Sequence, residues 1–348
     1  MAKQYQDIKE ITLSNQFYEM VHKSVEDGNY IPEFALDYFD NIRDIKSEQT
    51  LIQYAYDINK FFKWLSVQLN TTHLLPECLQ NLTIEDINHY KNELRVVKIG
   101  SNQKIASDAY LARQLSSLRS FLMYFAKKDY MSANVVELIQ LPDVKDKTIV
   151  ALDKDDITRM IECTELGNKR SDQQVALRDK AILAILVGTG IRVSELVGID
   201  MEDIDLFNAR IKVVRKGGDE DMVAFSGYVE DILLEYINTC RPALLHDQNE
   251  PALFLSYQGK RLTPRSVQKL MAKYKAMAGI NKKVTPHAMR RTFATTVYQQ
   301  TGNIDLVADS LHHKSTQVAR KHYVSKDDER FHEAAKAVDI LFEDKFSG

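Results

Sequence analysis

Four side chains near the end of the chain have the types and order that one reaction requires. His287 and Arg290 lie three residues apart, His313 follows them, and Tyr323 comes ten residues after His313. When a tyrosine hydroxyl attacks a phosphodiester, the transition state needs cationic donors around the non-bridging oxygens. The leaving 5′-oxygen then needs a proton donor. The four residues therefore predict attack by Tyr323 on a phosphodiester.

The residues before this group are typical of a helix start that would present the cations together. Thr285 suits the N-cap and Pro286 suits the first helical position. His287 and Arg290 would then share one face of the helix, where both can reach one phosphate. The helix N-terminus itself also favours an anion.

Arg192 is a second candidate phosphate ligand. It follows Gly188-Thr189-Gly190, which ends an apolar helix predicted from Arg178 to Val187, and it precedes Glu195 by three residues. Pairing with Glu195 would hold the guanidinium for bidentate phosphate contact. Alone, such a pair is more often a helix-surface ion pair, and a lone histidine such as His287 is more often structural. The combination indicates a phosphate site.

Basic residues are segregated along the chain, although its net charge is −3. Residues 251–304 contain ten Lys or Arg and no Asp or Glu. Such a stretch is typical of a phosphate-backbone contact, and a solvated helix face is the alternative. The predicted DNA-contacting residues are Lys260, Arg261, Arg265, Lys282, Lys283 and Arg291.

The hydrophobic pattern predicts a helical first half and a mixed second half. Helical periodicity runs from Leu51 to Leu65 and from Leu111 to Phe125, and no strand pattern is found before residue 145. Leu141-Pro142 and the charges after it predict a linker at residues 142–150. The predicted divisions are a helical domain at 1–141, the linker, a second domain at 151–326 and a tail helix at 327–348.

A β-hairpin is predicted in the second half. The runs 209–214 and 221–225 contain β-branched residues and flank Lys216-Gly217-Gly218. A short strand at 252–255 is a further prediction.

Composition favours a soluble protein without a metal. No apolar run reaches the ~18–20 residues that span a bilayer, and no signal peptide is recognisable. We expect a cytoplasmic location. The three cysteines, Cys78, Cys163 and Cys240, have no metal-ligand spacing.

The ordered motifs resemble those of the tyrosine recombinases, most closely the Xer-type enzymes and related transposon integrases. Residues 178–196 resemble their first-arginine segment, and His287-Ala288-Met289-Arg290 resembles their HxxR segment. Leu311-His312-His313 resembles their L-G-H segment, Tyr323 falls at the nucleophile, and 215–218 resembles the hairpin that carries the family lysine. The resemblance covers roughly residues 30–330.

The resemblance implies a fold and partners. The fold class would be multidomain, with an all-α, SAM-like core-binding domain and a mainly α catalytic domain containing a small sheet. The two domains would close around duplex DNA that carries an inverted-repeat core site. The tail would exchange between protomers of a homotetramer on two DNA sites. Accessory proteins are further candidate partners, and no cofactor or membrane is implied. The resemblance also implies association with the nucleoid of a bacterium.

The resemblance also implies roles for individual residues. Arg192 and Arg290 would hold the scissile phosphate, while His287 and His313 would bind its oxygens and assist proton transfer at the tyrosine. Lys216 would protonate the leaving 5′-hydroxyl. Tyr323 would form a 3′-phosphotyrosyl bond that conserves the phosphodiester energy.

The chain departs from the family pattern in four places, the first of which is Arg291, at a position where many relatives have histidine. His312 replaces the glycine of the L-G-H segment, which leaves a His-His metal pair as a minor alternative. His322 sits at the commoner nucleophile spacing, one residue before Tyr323. Asp219-Glu220-Asp221 replaces the usual basic residues after the hairpin turn, which puts a DNA contact there in doubt.

Two rival functions remain open. A DNA-binding protein that keeps the fold without catalysis would not trap DNA covalently. A type IB topoisomerase would relax plasmids that lack a specific site. Chromosome-dimer resolution and movement of a mobile element are equally open as roles for a recombinase.

Overall fold

The structure is a computed structural model that describes residues 2–99, 102–144, 151–166, 170–215 and 218–311. The chain divides into two compact units, Asp7–Lys147, and Thr148–Gly348 together with Met1–Gln6. Lys216, His312, His313, His322, Tyr323 and the predicted tail helix lie outside the described residues. Among the helices in the described ranges, none is long and apolar enough to cross a membrane.

The first unit is built from helices and one hairpin. The helices are α1 (Ala2–Val21), α2 (Leu36–Arg43), α3 (Glu48–Gln68), α4 (Glu77–Gln80), α5 (Ile84–Leu94), α6 (Asp108–Ala126) and α7 (Ala133–Glu137). The strands are β1 (Val96–Ile99) and β2 (Asn102–Ile105).

Apolar residues at helical spacing place α3 against α6 in the core of this unit. Ile58 and Phe61 of α3 and Leu118 and Phe121 of α6 are buried, as the periodicity predicts. Thr83 caps α5, since its side chain accepts a hydrogen bond from the Asp86 N–H and the Asp86 side chain accepts one from the Thr83 N–H.

The hairpin in the first unit corrects the prediction that no strand precedes residue 145. β1 and β2 pair antiparallel, with Val96 opposite Ile105 and Ile99 opposite Asn102. The physical signal is present in the sequence, since three of the four β1 residues are β-branched and Gly100-Ser101 follows. The run is too short to stand out beside the strong helical periodicity on either side.

The second unit surrounds one long helix with shorter helices and a small sheet. The helices are α8 (Lys154–Glu162), α9 (Arg170–Thr189), α10 (Val193–Gly198), α11 (Gly227–Glu235), α12 (Arg241–Leu244), α13 (Pro264–Met277), α14 (Pro286–Thr301) and α15 (Ile304–Ser310). The strands are β3 (Ile204–Asp205), β4 (Arg210–Val214) and β5 (Glu220–Ala224). A π-helical turn, Tyr236–Cys240, joins α11 to α12.

The centre of this unit is α9, which packs against α11 and α14. Residues 181–186 are buried on every side of the helix. The predicted hairpin is confirmed: β4 pairs with β5 in an antiparallel sheet of order β3-β4-β5. The predicted strand at 252–255 is wrong. Its end residues form only isolated bridges, which join Ala252 to Asp200 and Leu255 to Arg261.

Candidate active site

The start of α14 positions His287 and Arg290 as the sequence predicts. The Thr285 hydroxyl oxygen accepts a hydrogen bond from the Ala288 N–H at 3.1 Å, and Pro286 is the first helical residue. His287 is exposed, whereas the side chain of Arg290 is buried by its neighbours. One helical turn therefore presents an imidazole to the outside and anchors a guanidinium inside.

Arg290 links the three segments that carry the sequence motifs. Its Nη1 donates to the carbonyl oxygen of Gly190 at 2.6 Å, and its Nη2 donates to that of Leu311 at 2.6 Å. Gly190 lies two residues before Arg192, and Leu311 directly precedes the His312-His313 pair. Through these two bonds, the buried side chain of Arg290 holds the segment before Arg192 and the segment before His312 against α14.

Close packing at the same place requires a glycine. Gly190 has a φ of +64°, and a Cβ there would lie 2.5 Å from the Phe293 ring and 3.0 Å from the Leu311 side chain. A larger residue would push α14 away from the turn that leads to Arg192. The backbone between α9 and α10 is therefore fixed before the arginine side chain emerges.

The predicted pairing of Arg192 with Glu195 is present. The Arg192 N–H donates to Glu195 Oε2 at 2.7 Å, and Arg192 Nη1 donates to Oε1 at 2.8 Å. The Glu195 side chain is 2% exposed, while that of Arg192 is 37% exposed. The buried carboxylate therefore orients a guanidinium that solvent, and so an anion, can reach.

Two further residues complete this arrangement, and the sequence interpretation missed them. Arg215 Nη1 donates to Glu195 Oε2 at 2.8 Å, and its Nε and Nη2 donate to Asp221 Oδ2 at 3.0 and 2.6 Å. The signal was the acid at position 221, noted only as a departure from the usual basic residues. In the antiparallel register Asp221 of β5 lies opposite Val213 of β4, and β4 ends directly before Arg215.

The predicted DNA-contacting residues fall into two groups. Lys260, Arg265 and Lys283 are exposed and Arg291 is half-buried. Arg261, in contrast, is ion-paired with Asp200 and donates to the carbonyl oxygens of Val197 and Ile199.

Lys282 is also held within the protein. Its Nζ lies 2.6 Å from Asp153 Oδ2 and 2.5 Å from Asp156 Oδ2. The bond to Asp153 raises the pKa of Lys282, and the bond to Lys282 lowers the pKa of Asp153. Arg261 and Lys282 thus have intramolecular partners that a charge count along the sequence does not reveal.

The second unit matches a known family. Residues 151–330 match the model of the phage integrase family. Over 335 residues the chain is 30% identical to tyrosine recombinase XerS of Streptococcus agalactiae serotype III (strain NEM316), covering 86% of this chain and 93% of that protein. Tyrosine recombinase XerD of Staphylococcus epidermidis (strain ATCC 35984) is 28% identical over 287 residues, covering 80% of this chain and 89% of the relative.

Solved structures show the same fold at lower identity. The XerH site-specific recombinase in a pre-cleavage complex with its difH substrate gives a TM-score of 0.62 at 21% identity, covering 86% of this chain and 83% of that one. The Tn1549 transposon integrase in complex with circular intermediate DNA gives 0.61 at 19% identity, covering 86% and 98%. With the family match across the catalytic unit and the XerS match along most of the chain, this protein belongs to the phage integrase family and is a tyrosine recombinase.

Proposed function

We propose that this recombinase cuts and rejoins duplex DNA at a specific site through a 3′-phosphotyrosyl intermediate and a Holliday junction. The observation that carries the proposal is the placement of Arg290. Its two bonds tie the segments leading to Arg192 and to His313 onto the helix that presents His287. Gly190 and Leu311, over a hundred positions apart in sequence, thereby share one side chain, which supports a common phosphate site for the residues beside them.

The two arginines provide the phosphate-binding charge in this proposal. Arg192 is oriented by Glu195 and remains accessible. Arg290 is held by two backbone carbonyls, which fixes its planar guanidinium before substrate arrives. Donors fixed in advance stabilise developing charge without reorganisation during the reaction.

The remaining roles follow from side-chain chemistry and from the family. Tyr323 attacks the phosphorus, while His287 and His313 hydrogen-bond the phosphate oxygens and assist removal of the tyrosine proton. Lys216 gives its proton to the 5′-oxygen as the P–O5′ bond breaks. The 5′-hydroxyl of the partner strand then reverses the step, so neither nucleotide nor cofactor is consumed.

Duplex DNA is the proposed partner, since the XerH and Tn1549 relatives were solved in complex with DNA. The finer proposals are an inverted-repeat core site, a homotetramer on two DNA sites, exchange of the tail between protomers, and accessory proteins. The domain boundaries at 141, 150 and 326 and the nucleoid location also stay predictions. Both chromosome-dimer resolution and mobile-element transfer are compatible with this chemistry.

The proposal is tested with a nicked suicide substrate and denaturing electrophoresis. Wild-type protein is expected to form a covalent adduct with DNA that survives denaturation. Tyr323→Phe should abolish the adduct and leave specific DNA binding nearly unchanged, because only the hydroxyl is lost.

An adduct that persists in Tyr323→Phe would move the nucleophile elsewhere, and Tyr298 of α14 is the first alternative. A wild-type protein that binds DNA but never forms an adduct would support the non-catalytic rival. Relaxation of plasmids that lack a specific site would support the topoisomerase rival.

A further inference from the structure

Arg215 stands between the phosphate-binding arginine and the hairpin turn. It directly precedes Lys216 in sequence, and its side chain is only 8% exposed. One edge of the guanidinium contacts Glu195 at 2.8 Å, and the other contacts Asp221 at 2.6 Å. A single rigid group therefore joins α10 to β5.

The backbone of Arg215 is held as firmly as its side chain. Its N–H donates to the Asp219 carbonyl oxygen at 2.7 Å, and its carbonyl oxygen accepts from the Gly218 N–H at 3.0 Å. Gly218 adopts a φ of +90°, which glycine tolerates without strain. Arg215 is thus held through its backbone as well as through its side chain at the end of β4.

The four charged groups form one alternating chain: Arg192, Glu195, Arg215 and Asp221. Each arginine contacts a carboxylate, and both inner members contact two partners. Because the inner members are almost completely buried, solvent and salt screen these interactions weakly. The chain gives a physical connection between the arginine at the phosphate site and the strand that follows the hairpin turn.

We propose that Asp221 is a positioning residue for the general acid. Through Arg215 it fixes the backbone that leads into Lys216 relative to Arg192, so that the proton reaches the 5′-oxygen of the phosphate that Arg192 binds. The inference rests on the proposed role of Lys216 and deepens it. It also gives a function to an acid at a place where basic residues are usual in the family.

The test compares Asp221→Asn with Asp219→Asn on two suicide substrates. Both variants remove one negative charge close to the hairpin turn, but the Asp219 side chain is exposed. One substrate has the natural 5′-oxygen at the scissile phosphate. The other has a 5′-bridging sulfur, which leaves as a thiolate without needing a proton.

Asp221→Asn is expected to slow single-turnover cleavage of the natural substrate by about tenfold or more, since misplacing a catalytic group by ~1 Å can cost ~10²-fold. On the sulfur substrate it should cleave close to the wild-type rate, as Lys216→Ala should. Asp219→Asn should match the wild type on both substrates. A merely structural defect would slow both substrates alike.

Arg215→Lys provides an independent second variant in case Asp221→Asn folds poorly, as judged by its thermal midpoint. Lysine keeps the charge but lacks the fork that holds two carboxylates at once. It should show the same selective defect on the natural substrate. Equal defects on both substrates, or natural-substrate rates matching Asp219→Asn, would overturn the positioning role.

The outcomes separate this inference from the proposed function. A wild-type protein that forms no adduct on either substrate overturns the proposed function, and the inference with it. Failure of the sulfur substrate to rescue Lys216→Ala removes the acid role and thereby the positioning role. Rescue of Lys216→Ala alone, without a selective defect in the other variants, overturns only the inference.

Discussion

In each unit of the protein a buried carboxylate gathers several polar partners. In the first unit Asp57 contacts Arg113 and accepts from Gln114 at 2.7 Å and Ser117 at 2.9 Å. In the second unit Glu195 accepts from Arg192 and Arg215, each at 2.8 Å. Both sites place an acid inside the protein and satisfy it with hydrogen bonds, as burial requires.

The two sites differ in what their partners connect. Arg113, Gln114 and Ser117 all come from α6, and Gln53 of α3 itself also donates to Asp57, so the cluster fastens α6 to α3. The partners of Glu195 come from the N-cap of α10 and the end of β4, next to candidate catalytic positions. Arg113 and Arg192 are almost equally exposed, at 38% and 37%. Exposure and pairing therefore do not distinguish the candidate catalytic arginine from the structural one, and the two differ instead in the segments that they connect.

The largest effect should come from the arginines themselves. Arg192→Ala and Arg290→Ala should each lower single-turnover cleavage by about 10²–10³-fold, the usual consequence of losing one transition-state donor. Arg192→Lys should recover little activity, because a point charge does not reproduce bidentate contact. Arg113→Ala is the matched control, and this variant should cleave DNA at the wild-type rate when the DNA is saturated with protein.

A near-normal rate for Arg192→Lys would remove Arg192 from the phosphate. A loss in Arg113→Ala as large as that in Arg192→Ala would erase the distinction between the two sites.

Substitutions of the two buried carboxylates, Asp57 and Glu195, should have different effects on stability and on catalysis. Asp57→Asn should lower the free energy of unfolding by about 1–3 kcal/mol, because charge-assisted hydrogen bonds weaken in a buried site. Its cleavage rate per folded molecule should not change. Glu195→Gln should lower cleavage even where the protein is folded, because Arg192 and Arg215 lose their common anchor.

Urea unfolding and single-turnover cleavage measured on the same preparations check both expectations. The comparison fails if Asp57→Asn reduces cleavage per folded molecule as strongly as Glu195→Gln does.

Basic residues outside the Asp57 and Glu195 sites provide a further test, which is the salt dependence of DNA binding. Replacing exposed Lys260 and Lys283 with glutamine should flatten the slope of log K against log salt by about 1 for each lost phosphate contact. Replacing Arg261 and Lys282 in the same way should instead lower the thermal midpoint, because these two have intramolecular partners. If the slope flattened after replacement of Arg261 and Lys282 but not of Lys260 and Lys283, the DNA-contacting and intramolecular roles would be reversed.

The smallest effect concerns the pH dependence of the Lys282 ion pairs. The pKa of Asp153 is lowered, so its stabilising contribution is present above the ordinary aspartate range and is lost as pH falls through the lowered pKa. The pKa of Lys282 is raised, so its contribution is lost only as pH rises through that raised value, above the ordinary lysine range.

The measurement is the difference in thermal midpoint between wild type and Lys282→Met across pH. It should be constant near neutrality and narrow in acid. The part of the difference that changes with pH should be modest, because Asp153 is exposed and surface pairs contribute little. A difference in thermal midpoint that grows as pH falls would contradict the lowered pKa of Asp153.

Local signals predicted most of the elements because they act within a few residues. The caps at Thr83, Asp153 and Thr285 form as their side chains suggest, each accepting from an N–H three residues later. The hairpin at 210–224 likewise follows from its β-branched runs and glycines. The hairpin at 96–105 shows the limit, since a four-residue run carries too little pattern to compete with its helical surroundings.

Charge partners could not be predicted in the same way. Arg261 pairs with an acid 61 positions away, and Lys282 pairs with one 129 positions away. A run of basic residues looks the same in sequence whether its charges face solvent or meet an acid from another element. Long side chains also reach in several directions, so spacing alone does not choose their partner.

The sequence by itself therefore determined the family, the mostly helical elements and the candidate set of Arg192, His287 and Arg290, because these depend on residue types at short, ordered spacings. Only the tertiary structure decided that Arg290 ties Gly190 and Leu311 together, and that Arg215 links Glu195 to Asp221. Those contacts exist because packing around α9 brings distant backbone segments within hydrogen-bonding distance. Sequence periodicity encodes which face of an element is buried, but not which neighbour covers it.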